Sequence, residues 1–394
     1  MKALAVLLLV TALTPSAQAQ GVTQREYGTL PDGREVHEFT LDNGQGMQVS
    51  LLDFGGIVTR VLVPDRNGET DNVVLALPDL DAQLDRPNFG AIIGRYAGRI
   101  SGGGVTIDGV FHPLDANAAG VTTHGGPGGA NGFGSRLWHA EAVPMADRSA
   151  VRLTLDSPDG DNGFPGRVEV QVVFSLGPDN DLRLDYRATS SAPTVINLTH
   201  HAFFNLAGAG SGTIDRHWLR LAARSYTAQD ARNLPDGTLA PVAGTPMDLR
   251  QWVMLGARMR STDAPVAAAR GFDHNFVLDS DGGPALCAYD PDSGRMMVVH
   301  SDQPGLQLYT ANGFDGTRAA LRRDGSRFTL RQGDGFAVET QHFPDSPHHP
   351  GFPSTVLRPG DVFTSSTSFA FRTLPAGGTA MQERANWDAA CTGS

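Results

Sequence analysis

The chain is all-β in class, and the sequence predicts one large, mainly antiparallel β-sandwich. Three observations carry that reading. Apolar and polar residues alternate along several short segments, which is the period of half-buried strands. Turn-forming dipeptides separate those segments. No rhythm of strands alternating with long helices is visible, which argues against a doubly wound or barrel architecture.

The segments come in order. The first 19 residues open with Met1-Lys2, run apolar from Ala3 to Leu13 and end in Ala17-Gln18-Ala19. That pattern predicts a cleaved secretory signal, residues 1–19, and the apolar run is too short to span a bilayer comfortably. The main domain is expected over 20–374. Met47 to Leu52, Val151 to Leu155, Val168 to Phe174 and Leu182 to Tyr186 alternate cleanly and predict strands. Asp32-Gly33, Asn43-Gly44, Asn67-Gly68, Asp108-Gly109, Asp236-Gly237 and Asp324-Gly325 predict turns. Asp79 to Leu84 and Gln251 to Met259 are the two short helical patterns. Residues 375–394 turn Gly/Ala-rich and polar, and the sequence predicts a disordered tail there.

Composition removes several chemistries. The formal net charge is −11, which opposes nucleic acid and anionic membrane as partners. Lys2 is the only lysine, and it leaves with the predicted signal. Schiff-base chemistry, pyridoxal enzymes and the P-loop lysine leave with it. Cys287 and Cys391 have no zinc-site spacing. An oxidising compartment permits a bridge between them, but Cys391 lies in the predicted loose tail, so none is expected.

Five clusters carry candidate chemistry. Gly94-Arg95-Tyr96-Ala97-Gly98-Arg99 sets two arginines among glycines, either to hold hydroxyls or an anion or as a loop anchor. His124-Gly125-Gly126-Pro127-Gly128-Gly129 allows close backbone approach. It resembles an oxyanion-hole run, but no G-x-S-x-G elbow accompanies it, and a plain loop is the other reading. Thr199-His200-His201 places two histidines side by side; on a strand they face opposite ways, so one at most serves a pocket. Asp273, in Gly271-Phe272-Asp273-His274, is either a hydroxyl acceptor or a turn residue. Glu339 sits inside the apolar run Phe336-Ala337-Val338-Glu339-Thr340-Gln341. A carboxylate there is either paired with an arginine or raised in pKa toward a general-base range.

Taken together, these clusters resemble the aldose 1-epimerase (galactose mutarotase) family. So do the stretch Leu41 to Leu84, with its motif Asp53 to Gly68, Ser157-Pro158-Asp159-Gly160 with Gly163-Phe164-Pro165-Gly166, Pro304 to Asn312, and Leu357-Arg358-Pro359-Gly360-Asp361. The likeness runs from about Arg25 to about Phe371. It implies a galactose mutarotase-like β-supersandwich with His201 and Glu339 catalytic. It also implies sugar-binding roles for Arg99, His124, Asp273 and Gln307, with Arg95 structural. The chain departs from the family pattern at Gly98, where Asn is usual, at His200, Ala202 and Phe203, and at His348.

The resemblance implies an isomerase that interconverts the α and β anomers of a free aldose, with Glu339 as base and His201 as acid. It implies a small monosaccharide as partner, no metal or other cofactor, and no membrane after signal cleavage. A monomer or weak dimer in the periplasm or outside the cell is expected. The rival readings are a non-catalytic sugar-binding protein on the same fold, and a glycoside hydrolase using Asp273 with Glu339.

Overall fold

The computed structural model describes residues 21–279, 281–377 and 379–393. The predicted signal peptide, residues 1–19, lies outside the described residues.

Antiparallel strands dominate. A five-stranded meander runs in chain order through Val22–Thr29, Glu35–Asp42, Gln48–Leu52, Val58–Pro64 and Thr70–Asn72. A nine-stranded sheet has the order His139–Ala142, Ser149–Ser157, Val168–Leu176, Asp181–Ser190, Phe363–Thr373, Arg295–Ser301, Leu286–Tyr289, Trp218–Leu221, Val253–Met254. A six-stranded sheet has the order Phe203–Phe204, Phe336–Gln341, Gly305–Tyr309, Asp273–Leu278, Ala223–Gln229, Pro235–Pro241.

The main core lies among these three sheets. Val49 and Val61 come from the first, Val172, Phe174 and Leu184 from the second, and Leu306, Leu308 and Val338 from the third. Each side chain of this size contributes about 1.5–3 kcal/mol when it leaves water. Alternation pays out as expected: in Val168–Leu176 the buried Val168, Val170, Val172 and Phe174 share one face.

All four predicted strands form; Gln48–Leu52 is one residue shorter than predicted, and the other three run slightly longer than their clearest alternation. Asp79 caps the helix Leu80–Asp85, its carboxylate accepting from the Ala82 N–H at 3.0 Å. The second helical pattern is shorter than predicted. It begins at Leu255, because Val253–Met254 pairs with Trp218 and Leu219 at the edge of the nine-stranded sheet. One turn prediction is corrected. Asp236-Gly237 lies within the strand Pro235–Pro241, where the pairing with Ala223–Gln229 shifts register and absorbs the positive φ of Gly237.

The predicted disordered tail is also corrected. Ala380–Thr392 is an α-helix, opened by a reciprocal capping box between Thr379 and Gln382. The helix lies against one face of the nine-stranded sheet, over Trp218–Leu221, Leu286–Tyr289 and Arg295–Ser301. Trp387 packs on Tyr289 with ring centroids 4.6 Å apart, and Arg384 stands 4.1 Å over the Trp218 ring. That docking brings Cys391 to Cys287, with Cα atoms 5.9 Å apart, and the two form a disulfide closing 104 residues of chain. The unexpected bridge follows from the helix, since tertiary anchoring orders a segment whose composition alone reads as loose.

Candidate active site

The candidate pocket is built on one face of the six-stranded sheet. Register decides which side chains reach it. Gln307 pairs directly with Glu339 and with Asn275, while Asp273 pairs with Tyr309. Because side chains alternate along a strand, Asp273, Gln307, Tyr309, Glu339 and Gln341 share one face. Leu306, Leu308 and Val338 point the other way into the core.

His201 enters from the chain just ahead of Phe203–Phe204, the edge strand beside Phe336–Gln341. Its backbone is pinned on both sides: its N–H donates to the Ala91 carbonyl at 2.9 Å, and its carbonyl accepts from Gly90 at 3.0 Å. Its ring leans on Phe203 at 4.9 Å between centroids. His200, the last residue of the short strand Thr199–His200, faces away from the pocket. It sets Nε2 3.1 Å from the Gly56 carbonyl and packs edge-on against Phe174.

The opposite wall comes from the loop around the two arginines and from His124. Arg99 reaches Asp273, Nη2 to Oδ2 at 3.3 Å, and Gln307 Nε2 donates to Asp273 Oδ1 at 2.6 Å. His124 has a positive φ of 52°. Its Nδ1 accepts the Gly98 N–H at 3.3 Å, and its ring meets His201 edge-on at 5.4 Å. Gly125 explains part of the glycine run: a Cβ there would lie 2.2 Å from the Gly94 carbonyl. Arg95 is buried away from the pocket. It donates to the carbonyls of Ser157, Pro158, Phe164, Pro165 and Gly166 and to the Ser157 hydroxyl. It thereby ties together two of the sequence motifs that carry no side chain into the pocket.

The result is a cavity of about 220 Å³ lined by Arg99, His124, His201, Asp273, Gln307 and Glu339, with Gly98, Tyr309, Gln341 and Pro344. It falls below the roughly 300–1,000 Å³ typical of drug-sized ligands, a size that suits one small polar ring. All six residues singled out in the sequence come together here. Tyr309 and Gln341 were not singled out, although Gln341 stands two residues after Glu339 on the same strand face.

Electrostatics distinguish two members. His201 Nε2 lies 3.5 Å from Glu339 Oε1. Glu339 is 2 % exposed. Burial pushes its pKa up to about 8, helped by the like charge of Asp273 and opposed by Arg99. Burial lowers His201 to about 4 against the opposing pull of Asp273. His124 is held well below the ordinary imidazole range by burial, then by His201 and Arg99. His201 Nδ1, Gln307 Oε1, Glu339 Oε2 and both amide atoms of Gln341 are buried with no protein partner. Such atoms are costly unless a ligand or water completes them.

His124, His201 and Glu339 offer donor atoms within 4.8 Å of one another. Tetrahedral donors on bonds of about 2.1 Å stand roughly 3.4 Å apart. The His201–Glu339 pair meets that separation, but the set as a whole is wider, and His124 Nδ1 already accepts from Gly98. The arrangement fits proton transfer better than a closed metal shell. Asp273 is held by Arg99 and Gln307, so it is not placed as the second free carboxylate that a glycoside hydrolase needs.

A buried histidine–glutamate pair over a small polar cavity, set on an antiparallel β-sandwich, fits a carbohydrate-handling isomerase. Comparison with known proteins specifies it further. The family model for aldose 1-epimerase matches residues 37–370. The galactose mutarotase of Rattus norvegicus is 38 % identical over 354 residues, covering 89 % of this chain and 98 % of that protein. The aldose 1-epimerase of Escherichia coli K12 is 34 % identical, covering 86 % and 96 %. The crystal structure of galactose 1-epimerase from Lactobacillus acidophilus NCFM superposes with a TM-score of 0.78 at 27 % identity, covering 89 % and 98 %. The chain belongs to the aldose 1-epimerase family.

Proposed function

We propose that this chain opens and recloses the hemiacetal ring of a free aldose of galactose or glucose type, with Glu339 as base and His201 as acid. Glu339 takes the proton from the C1 hydroxyl while His201 protonates the ring oxygen. The C1–O5 bond breaks and leaves the open aldehyde. Rotation about C1–C2 presents the other carbonyl face, and closure runs both transfers backwards.

The observation that carries this reading is the 3.5 Å approach of His201 to Glu339 in a buried cavity. Ring opening converts a carboxylate and an imidazolium into two neutral groups. An apolar setting favours the neutral forms of both, so the single proton rests on Glu339. It must pass to His201, 3.5 Å away, to give the reactive carboxylate–imidazolium form before ring opening returns the pair to neutrality. Each group is expected to contribute roughly 10²–10⁴-fold. Arg99, His124, Asp273 and Gln307 hold the sugar hydroxyls, so that C1 and O5 meet their partners in line.

Export to the periplasm or beyond is part of the same reading. The Cys287–Cys391 bridge supports an oxidising compartment, as does the signal pattern. A monomer or weak dimer belongs to the same reading.

The test is polarimetry of freshly dissolved α-D-galactose, α-D-glucose, arabinose and xylose with EDTA present. Faster approach to an unchanged final rotation is expected with at least one of them. No acceleration with any would leave a sugar-binding protein as the better account.

A further inference from the structure

We infer that Gln341 binds the C2 hydroxyl of the sugar, and so makes the configuration at C2 a point of substrate discrimination. This rests on the roles proposed for Glu339 and His201.

Gln341 is fully buried, lines the cavity, and leaves both its amide oxygen and its amide nitrogen without a protein partner. A side-chain amide can take part in up to four hydrogen bonds, and burying one unpartnered costs stability. Nearby Asn197, by contrast, donates to the main-chain carbonyls of Ala97 and His342. Among the described residues Gln83 and Asn275 also leave both amide atoms without a partner, but neither lines the cavity, whereas Gln341 does.

Strand order supplies the assignment. Ala337, Glu339 and Gln341 follow one another on the pocket face of Phe336–Gln341. Ala337 pairs with Phe203, close after His201, while Gln341 pairs with Gly305 at the other end. His201 and Gln341 thus flank Glu339. In an aldose ring, O5 and C2 flank C1. With C1 at Glu339 and O5 at His201, C2 falls on the side of Gln341.

Gly98 leaves the room for this contact. It stands beside Gln341 at the cavity wall: a Cβ at Gly98 would touch Gln341 Nε2 at 3.4 Å and press on Pro344 at 3.2 Å. A larger residue at 98 would crowd the amide, whereas glycine leaves it open to a hydroxyl.

The experiment compares kcat/KM for glucose, its C2 epimer mannose and 2-deoxyglucose in the wild type, Gln341→Leu and Gln341→Leu with Gly98→Asn. Loss of one such hydrogen bond is expected to cost roughly tenfold. The wild type should favour glucose over 2-deoxyglucose by about that factor, and Gln341→Leu should erase the preference by slowing glucose alone. Asn tolerates the positive φ of position 98. Partial return of the preference in the double variant would show that an amide, not folding, was lost. Equal slowing of glucose and 2-deoxyglucose in Gln341→Leu overturns the inference. If the wild type turns over no sugar, the proposed activity fails instead. Calorimetric binding of glucose against 2-deoxyglucose, in wild type and Gln341→Leu, then decides the Gln341 contact: a preference for glucose lost in the variant supports it, and no difference overturns it.

Discussion

His201 Nε2 and Glu339 Oε1 stand 3.5 Å apart, two elements meeting at one edge of the six-stranded sheet. A pair that shares one proton-transfer cycle acts as a unit. Glu339→Gln and His201→Asn should each lower kcat by roughly 10²–10⁴-fold with a much smaller change in KM. The double variant should be little worse than either single one, as found for catalytic groups that act together. Steady-state kinetics on all three variants check this. Multiplying effects would mean that the two residues act independently.

The pH profile follows from the same pair. Between about 4 and about 8 it carries one proton, and kcat/KM should be on a plateau there. Activity should fall above about 8 as that proton is lost, and below about 4 as a second is gained. The limbs belong to the pair rather than to either residue. Stability gives a separate reading. The folded pKa of Glu339 lies above its unfolded value, so its contribution is fully present below about 4.5 and is lost as pH rises through about 8. Glu339→Gln should therefore gain in Tm relative to the wild type between pH 5 and pH 9. Thermal melts across that range measure it, and a constant difference would contradict it.

Asp273 is held by Arg99 and Gln307 and raises the pKa of Glu339 as a like charge. Asp273→Asn should raise KM by roughly 10–100-fold, the effect of weakening charge-assisted hydrogen bonds. Removing the negative charge eases ionisation of Glu339, so the alkaline limb should move to lower pH. A KM effect with an unmoved limb would confine Asp273 to binding.

The tail makes a prediction that leaves the pocket alone. Cys391→Ser should cost about 2–4 kcal/mol, the usual range for a long disulfide loop. It should lower Tm by several degrees and abolish the sensitivity of Tm to reductant. Trp387 and Cys391 pack with Trp252, Tyr289 and Met296 on the face of the nine-stranded sheet turned away from the main core, so kcat for the folded enzyme should change little. Melts with and without dithiothreitol, alongside activity, test both halves.

Much of this was legible before any coordinates. Alternation located the strands because each half-buried strand must present one apolar face. It also foretold that His200 and His201 part company. The six site residues were legible as motif positions, but their convergence rests on register between strands distant in sequence, which no local pattern encodes. Tyr309 and Gln341 went unremarked for that reason, although Gln341 follows Glu339 at the strand period. The tail misled because Gly/Ala-rich composition reads as disorder, while its order comes from Trp387, Arg384 and Cys391 meeting the face of a distant sheet. The Thr379-x-x-Gln382 capping box was the one local signal.

The most direct test is exchange between the α and β anomeric proton signals of galactose at equilibrium, followed by NMR with wild type and with Glu339→Gln at pH 7. The account predicts enzyme-dependent exchange with the wild type and a rate at least about 100-fold lower with the variant. Equal exchange with both proteins would contradict the assignment of Glu339 as the base.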